Sequence, residues 1–254
     1  MMPNRLKIIS MIVFSAVVFL SGAGNTETGE KNSEVLHIGK FSEADPGETI
    51  PSGWEPLTFE DIDQHTDYQL VEDDGATVVR AESDASASGL IRKIRIDPGK
   101  YPVIEWRWRA TGVYKGGDVS RKDGDDYPAR IYIAFEYDPD NVGFFERAKF
   151  KAIKMIHGEY PPIGAINYIW ASNAPVGKIV PNAYTDRVRM IVVESGGENT
   201  GTWVSESRNI LEDYKTAFGQ DPPMIRGIAL MTDSDNTGES TVTYYGDIVM
   251  KSAE

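Results

Sequence analysis

The chain has 254 residues and no cysteine, and its 39 Asp and Glu residues outnumber 26 Lys and Arg residues, which gives a formal net charge of −13 at pH 7. This composition excludes disulfide bonds and lipid attachment at a thiol, and it lacks the basic surface that non-specific nucleic-acid binding requires. The length suits one large domain, since all-β sandwiches run to about 200–250 residues.

The first 23 residues have the features of a secretory signal peptide. Arg5 and Lys7 precede an apolar run from Ile8 to Leu20, and residues 21–23 are small enough for a cleavage site. The alternative is a membrane anchor, but this run is shorter than the roughly 20 residues that a helix needs to cross a bilayer. We therefore predict cleavage, which removes two positive charges and leaves an exported protein, periplasmic or secreted, without a transmembrane anchor.

The mature chain is predicted to begin with a flexible segment over residues 24–33, because this stretch is polar and short of apolar residues. A single β-sandwich domain is expected over residues 34–254, where short alternating or apolar runs are bounded by Gly, Pro, Asp or Asn. The predicted strands are Gln69–Val71, Thr77–Ala81, Leu90–Ile96, Val103–Ala110, Ala129–Tyr137, Ala165–Ala171, Arg187–Ser195, Thr202–Arg208, Ile225–Met231 and Thr241–Met250.

Two segments have helical rather than alternating periodicity. The first is Val142–His157, in which one broad face carries Phe144, Phe145, Ala148, Ala152, Met155 and Ile156. This basic amphipathic segment is typical either of a helix on an anionic membrane or of one packed on the sandwich, and we favour packing. The second is Ile210–Phe218, with Asn209 as its N-cap and Gly219 at its C-terminal turn.

Arginine recurs on the polar faces of several predicted strands, because successive side chains of a strand point to opposite sides. If these strands are neighbours, Tyr132 shares one surface with Arg107, Arg109, Arg130, Arg187, Arg189 and Arg208. Guanidinium groups pair with carboxylates and stack on rings, so this surface suits an anionic or hydroxyl-rich ligand such as a uronate-bearing glycan. The alternative is a ladder of Arg and Glu pairs across strands that needs no ligand.

The stretch from Asn167 to Arg187 combines aromatic rings with amides and charged groups, which is what a glycan site requires. Buried Trp and Tyr residues with bonded polar ends would produce the same pattern. Together with the strand Ala129–Tyr137, this stretch provides the predicted ligand-binding residues, which are Arg130, Tyr132, Asn167, Tyr168, Trp170, Asn173, Tyr184, Asp186 and Arg187.

Acidic residues cluster in two loops. The run DSDNTG from Asp233 has the spacing of the first half of a calcium loop, but its twelfth position is Tyr244, where that loop needs a bidentate Glu. The helix-loop-helix interpretation therefore fails, and the run is expected to join two strands. The candidate calcium ligands are Asp233, Asp235 and Glu239. A second candidate cation loop contains Asp123, Asp125 and Asp126, and turn chemistry explains both loops equally well.

No local motif specifies a reaction. His37, His65 and His157 lie far apart, so neither a histidine triad nor a zinc cluster is indicated, and no phosphate-binding or dinucleotide fingerprint is found. The leading hypothesis is a non-catalytic binding protein for a glycan or another cell-envelope ligand. The alternatives are a polysaccharide-cleaving enzyme, either a glycoside hydrolase or a uronate lyase, and a structural or interaction protein of the envelope.

Several longer segments resemble the bacterial family known as domain of unknown function 3047. They are RAESDASASGL, YPVIEWRWRA, GDDYPARIYIAF, NYIWASN, YTDRVRMIVVESG, GTWVSESRNILEDY and GIALMTDSDNTGES followed by YYGDI, and they run from Arg80 to Ile248. The resemblance implies an all-β, exported sandwich of the jelly-roll or galactose-binding-like kind, with one inserted amphipathic helix and a short second helix. It implies no catalytic residue, and fold analogy of this sort does not establish a site.

Overall fold

Two β-sheets packed face to face make up most of the computed structural model, which describes residues 33–138, 143, 147–148, 150–151, 154–155 and 162–253. The strands of the described residues are β1 (Val35–Gly39), β2 (Glu55–Leu57), β3 (Asp67–Asp73), β4 (Ala76–Asp84), β5 (Ala87–Ile96), β6 (Val103–Ala110), β7 (Arg130–Phe135), β8 (Gly164–Ala171), β9 (Ile179–Pro181), β10 (Val188–Ser195), β11 (Val204–Asn209), β12 (Ile225–Asp233) and β13 (Ser240–Lys251).

The six-stranded sheet has the order β11-β6-β13-β4-β3, and β1 pairs with the C-terminal half of β13. The seven-stranded sheet has the order β2-β5-β12-β7-β8-β10-β9. All described pairs are antiparallel except β8 and β10, which run parallel. Because sequence neighbours such as β12 and β13 lie in different sheets, the chain passes repeatedly from one sheet to the other. The prediction of an all-β sandwich is confirmed.

The core lies between the two sheets and is rich in aromatic rings. Trp106 and Trp108 project from β6 of the six-stranded sheet toward Tyr168 and Trp170 on β8 of the other. The ring centroids of Trp106 and Tyr168 are 5.3 Å apart, and those of Trp108 and Trp170 are 6.1 Å apart. Tilted rings at these distances contribute about 0.5–1.5 kcal/mol per pair beyond the burial of apolar area.

Each of the ten predicted strands coincides with or overlaps an observed strand, and Val103–Ala110 has the same bounds as β6. Three strands were not predicted: β1, β2 and β9, which have 5, 3 and 3 residues. Segments this short are stabilised by the neighbour that they pair with, so their own periodicity carries little signal. The predicted connection between the last two strands is confirmed, since β12 ends at Asp233 and β13 begins at Ser240.

The second predicted helix is confirmed with its bounds as α1 (Ile210–Phe218). The side chain of Asn209 accepts hydrogen bonds from the backbone N–H groups of Leu211 and Glu212, which otherwise have no partner in the first turn. At the other end Gly219 adopts a φ of 74°, a conformation that glycine reaches without steric cost. Local sequence therefore accounts for both ends of this helix.

Other predicted segments fall largely outside the described residues. These are residues 1–32, with the predicted signal peptide, and most of the predicted helix Val142–His157. In that helix Phe150 is buried and stacks on Tyr137 at a centroid distance of 4.1 Å, whereas Met155 is 81% exposed. Among the described residues, no helix is both long enough and apolar enough to span a bilayer.

Candidate functional site

A cleft of about 800 Å³ opens on the outer face of the seven-stranded sheet. Its floor includes Arg130 and Tyr132 from β7 and Met231 and Asp233 from β12, which are adjacent strands. One wall is formed by residues 58–62, which follow β2 at one edge of the sheet. The opposite wall is formed by residues from three segments of the chain, namely Asp125, Asn182, Tyr184, Asp235 and Asn236.

The part of this outer face formed by β8 and β10 is covered by the segment between β6 and β7. Val119 and Tyr127 of this segment pack against Ile169, Met190 and Val192, which belong to β8 and β10, and form a second apolar cluster. These apolar side chains are therefore buried although they face away from the space between the sheets. The cleft lies beside this covered region, over β7 and β12.

Arg130 is only 3% exposed, and its donors are directed to groups of the protein itself. Its Nε donates to Oδ1 of Asp233 at 2.6 Å, and its Nη2 donates to the other oxygen of that carboxylate. Nη2 also donates to the backbone oxygen of Asp125 at 2.5 Å, and Nη1 donates to the hydroxyl of Tyr132 at 3.0 Å. The guanidinium lies 4.3 Å from the ring centroid of Tyr127. Arg130 therefore supports the floor and is not a free cation.

Arg130 and Asp233 depend on each other electrostatically. Burial is the largest single influence on the pKa of the Arg130 guanidinium and lowers it, but Asp233, Tyr132 and Asp125 together outweigh burial and raise this pKa well above its usual value. Burial raises the pKa of Asp233, while the bonds from Arg130 act in the opposite direction. Burial also raises the pKa of the Tyr132 hydroxyl, so this group keeps its proton at neutral pH.

Tyr184 stands at the rim of the cleft with 56% of its surface exposed. Its hydroxyl donates to Oδ1 of Asn236 at 2.5 Å, and Nζ of Lys122 lies 5.0 Å from its ring centroid. Its backbone N–H donates to Oδ1 of Asn182, whose Nδ2 in turn donates to Oδ2 of Asp125 at 2.8 Å. The ring is thus held in an exposed position by its neighbours, and a ligand stacking on it would not have to order it.

Asp126 joins the β12–β13 loop to the segment that precedes β7. It is fully buried and accepts hydrogen bonds from the backbone N–H and Nδ2 of Asn236, at 3.2 and 3.1 Å, and from the backbone N–H of Thr237 at 2.6 Å. Its carboxylate lies in one group with those of Asp233 and Asp235, with one oxygen of each within 4.8 Å of the others. The two acidic loops singled out in the sequence therefore meet.

The predicted calcium ligands are only partly brought together. Glu239 is not a member of this group, because its carboxylate accepts the backbone N–H groups of Lys115 and Gly116 at 3.1 and 2.8 Å. Of the three carboxylates in the group, Asp233 is paired with Arg130, and Asp126 is bonded to three N–H donors. These donor groups compete with a metal ion for the same oxygens.

We expect millimolar calcium to leave the melting temperature unchanged, because Arg130 already supplies the positive charge at Asp233 and the loop amides satisfy Asp126. The measurement is thermal unfolding of the metal-stripped protein with calcium and, as a control, with magnesium. A calcium-specific rise in melting temperature that Asp235→Ala abolishes would contradict this expectation and establish a calcium site.

Among the predicted ligand-binding residues, Arg130, Tyr132 and Tyr184 line the cleft. Tyr168 and Trp170 do not, and the interpretation of their rings as a ligand platform is corrected. Both are fully buried between the sheets, where the Tyr168 hydroxyl donates to Asp213 at 2.8 Å and Trp170 Nε1 donates to the backbone oxygen of Gly196 at 3.0 Å. They are the buried aromatic residues with bonded polar ends that were weighed as the alternative.

The remaining predicted residues lie beside or away from the cleft. Asn167 is next to Tyr132 on the outer face but is fully buried, and its side-chain amide has no hydrogen-bond partner among the described residues. Asn173 donates to the backbone oxygen of Gly117 at 3.2 Å. Asp186 and Arg187 line a separate cavity of about 300 Å³ near α1. The cleft therefore contains three of the nine predicted residues.

The predicted single arginine surface is wrong. Arg107 and Arg109 lie on the outer face of the six-stranded sheet, where their guanidinium groups are 4.5 and 5.2 Å from the ring centroid of Trp203. Arg109 also pairs with Asp73 at 2.6 Å. The strand that carries them is in the other sheet from Arg130, so no common surface exists.

Arg189 and Arg208 are also separate from the cleft. Arg208 lies on the edge strand β11 and pairs with Asp213 of α1 at 2.5 Å. Arg189 precedes the core residue Ile191 by two positions, so it faces the same side, and its guanidinium lies 5.4 Å from the ring centroid of Phe218. Both arginines are engaged with α1 or with residues that contact it.

The sequence reasoning missed Phe59, Asn182 and Asn236 as lining residues. Phe59 is 39% exposed and lies in a loop with no periodic signal. Asn182 lies within the aromatic and polar stretch already identified, and Asn236 lies within the calcium-like run. Asn182 and Asn236 could have been predicted as lining residues, because they lie in loops that carry other candidate residues.

Comparison with solved structures finds distant similarities. A cleaved adhesin domain of Lys-gingipain from Porphyromonas gingivalis is 10% identical, with a TM-score of 0.39, over 87% of this chain and 99% of that chain. A family 30 carbohydrate-binding module of a cellulosomal cellulase from Clostridium thermocellum is 13% identical, with a TM-score of 0.39 and the same coverage. Endoglucanase 3 of family GH12 from Trichoderma harzianum is 8% identical, with a TM-score of 0.36, over 89% and 99%.

These similarities carry no argument about function. None of the curated proteins compared with the chain matches it. A family model described as "Protein of unknown function (DUF3047)" matches residues 52–249, which include the walls and floor of the cleft. The resemblance noted in the sequence is therefore confirmed, and the chain belongs to the DUF3047 family.

Proposed function

We propose that the protein binds a glycan in the cleft on the outer face of the seven-stranded sheet and does not cleave it. The observation that carries this proposal is the pair of exposed aromatic rings, Phe59 and Tyr184, which line one 800 Å³ cleft from segments at opposite edges of the sheet. Sugar rings present apolar faces that stack on such side chains, and clefts of this size hold ligands of this kind.

Polar groups suited to sugar hydroxyls lie on the wall of the cleft that carries Tyr184. Asn182, Asn236 and Asp235 line the same cleft, and amides and carboxylates supply both donors and acceptors. Asn182 and Asn236 are each anchored by a hydrogen bond to an aspartate, Asp125 and Asp126 respectively. A pre-positioned set of this kind lowers the entropy cost of binding.

Loss of either exposed ring is expected to weaken glycan binding about tenfold, which corresponds to about 1.4 kcal/mol of lost stacking. The variants are Tyr184→Ala and Phe59→Ala, screened on a glycan array and then measured by calorimetry with the polysaccharides that the array identifies. Val176→Ala serves as the control, because Val176 is 62% exposed and does not line the cleft. An absence of binding to envelope and plant polysaccharides, with and without calcium, would contradict the proposal.

A lyase that uses a tyrosine and an arginine is a poorer fit to the same cleft. The arginine on the floor, Arg130, is paired with Asp233 and cannot neutralise a uronate without giving up that partner. The raised pKa of Tyr132 keeps its hydroxyl protonated at neutral pH, so little of the tyrosinate that would remove a proton is present. These two observations support binding over elimination chemistry.

We also propose that the protein acts outside the cytoplasm, in the periplasm or after secretion. This proposal is supported by the leader over residues 1–23, with its basic start, apolar run and small residues at position 21–23. N-terminal sequencing of the protein recovered from a periplasmic extract is expected to begin at Gly24. An intact Met1 on the mature protein would argue against export.

A further inference from the structure

The charges that line the cleft are almost all negative. Among the described residues the lining contains one guanidinium, Arg130, and the carboxyl groups of Glu60, Asp61, Asp125, Asp233 and Asp235. The formal charge of the lining is therefore −4. A cleft lined by one sign of charge concentrates ligands of the opposite sign and repels those of the same sign.

The Arg130 guanidinium does not make the cleft less negative toward a ligand. Arg130 is 3% exposed, donates to both oxygens of Asp233 and has its face against Tyr127. Its charge is thus cancelled by a buried carboxylate within the protein. The acids that remain at the surface of the cleft are Glu60 and Asp61, both exposed on the wall that follows β2, and the half-buried Asp235 on the wall that follows β12.

The negative potential also acts on groups at the rim. Burial and the neighbouring Asp126 carboxylate raise the pKa of Asp235. Burial, followed by the charges of Asp125 and Asp235, raises the pKa of the Tyr184 hydroxyl. Both shifts have the direction expected where negative charge accumulates, and a positive group placed between these residues would relieve the repulsion.

The two exposed rings, Phe59 and Tyr184, also favour a positively charged ligand. The Lys122 ammonium already lies 5.0 Å from the ring centroid of Tyr184, so this ring accepts a cation within the protein. The faces of tyrosine and phenylalanine rings carry negative electrostatic potential and attract ammonium groups. Phe59 and Tyr184 would therefore stack on an amino sugar at least as well as on a neutral one.

We infer that the cleft selects glycans that carry a positive charge, namely amino sugars with a free ammonium group, over neutral glycans and against uronates. This inference rests on the proposed function and names its ligand class. An ammonium group would lie near the carboxylate of Asp61 on one wall or that of Asp235 on the other, with the sugar rings on Phe59 and Tyr184. A uronate would place its carboxylate among like charges without an available guanidinium.

The experiment is calorimetry in mildly acidic buffer with three oligosaccharides of equal length: a chitosan oligosaccharide, its N-acetylated chitin counterpart and an oligogalacturonate. Chitosan is expected to bind about five- to tenfold more tightly than chitin, as one additional charge interaction at a partly solvated site would produce. The oligogalacturonate is expected to bind more weakly than either. Added salt should reduce the difference between chitosan and chitin, because it screens charge interactions.

Matched variants assign the preference to the cleft. Asp61→Asn and Asp235→Asn each remove one charge with little change of shape and are expected to lower the ratio of chitosan affinity to chitin affinity about fivefold. Glu72→Gln is the control, since Glu72 is exposed on β3 of the other sheet and its loss changes the net charge equally. Asp61 is exposed, so its variant tests the inference even if Asp235→Asn fails to fold.

The outcomes separate this inference from the proposed function. Equal or tighter binding of chitin, or tighter binding of the uronate, would overturn the charge preference and leave glycan binding intact. An equal effect of Glu72→Gln and the cleft variants would also overturn it, because the attraction would then come from the overall charge. Absence of binding to all three probes and to every glycan on the array would overturn both.

Discussion

Arg130→Met is expected to lower the free energy of unfolding by about 3–5 kcal/mol, because it leaves the carboxylate of Asp233 buried without its partner. Arg130 and Asp233 have side chains that are only 3% and 2% exposed. Methionine fills much of the arginine stem but supplies no donor. The measurement is chemical denaturation of both proteins without any ligand, so that an effect on binding cannot contribute.

The loss should grow as the pH rises. Without Arg130, burial and the charges of Asp126 and Asp125 all raise the pKa of Asp233, so the carboxyl is protonated at low pH and causes less destabilisation there. A carboxyl whose pKa is raised in the folded state stabilises the fold at pH values below its unfolded pKa. This stabilisation is lost as the pH rises through its folded pKa. A destabilisation that is independent of pH would contradict this explanation.

Two further variants show whether the buried charge is the cause. Arg130→Met combined with Asp233→Asn removes both charges and is expected to recover a substantial part of the lost stability. Arg95→Met is the matched control, because Arg95 pairs with Glu136 at 3.0 Å but its side chain is 64% exposed. Its loss should cost less than about 1 kcal/mol. Equal costs for Arg95→Met and Arg130→Met would argue against a special role for burial.

Trp170→Ala is expected to cost about 3–5 kcal/mol of stability, as truncation of a buried tryptophan leaves a large cavity. Trp170 is fully buried, lies 6.1 Å from Trp108 between ring centroids and donates a hydrogen bond to Gly196. Thermal unfolding should therefore show a strong loss of stability. Calorimetric titration with a glycan should show that the fraction of the protein that remains folded binds with unchanged affinity.

Trp203→Ala is the matched control for this prediction. Trp203 is half-buried on the outer face of the six-stranded sheet, where it stacks on Arg107 and Arg109 and donates to Asp73 at 3.1 Å. The same truncation should cost about 1–2 kcal/mol there, because solvent fills the space that the ring leaves. If Trp170→Ala abolished binding and left stability near that of the wild type, Trp170 would face a ligand and the packing described for it would be wrong.

Much of the architecture follows from local patterns of the sequence. Strict alternation in VIEWRWRA predicts β6 with its bounds and the burial of Trp106 and Trp108, because successive side chains of a strand point to opposite faces. Asn209 and Gly219 predict the ends of α1 for reasons that act within one helical turn. The class of fold, most of the strands and the second helix are therefore determined by the sequence itself.

The candidate site was predicted less well, because it depends on which segments meet. Tyr184 and Arg130 were identified from residue type, but alternation alone does not reveal whether an aromatic stretch such as that around Trp170 faces a ligand or the opposite sheet. The outer face of β8 and β10 is as apolar as the inner face, since Val119 and Tyr127 cover it from a segment that is distant in sequence. The usual contrast between a polar and an apolar face is lost there.

The periodicity of the strands and of the second helix, and the acidic, cysteine-free character of the chain, can be read directly from the residues. Folding alone places Asp126 beside Asp233, pairs Arg130 with that aspartate and distributes the other arginines over different surfaces. This difference arises because periodicity is set by geometry along the chain. Charge neutralisation and exposure are set by packing between strands that are not neighbours in sequence.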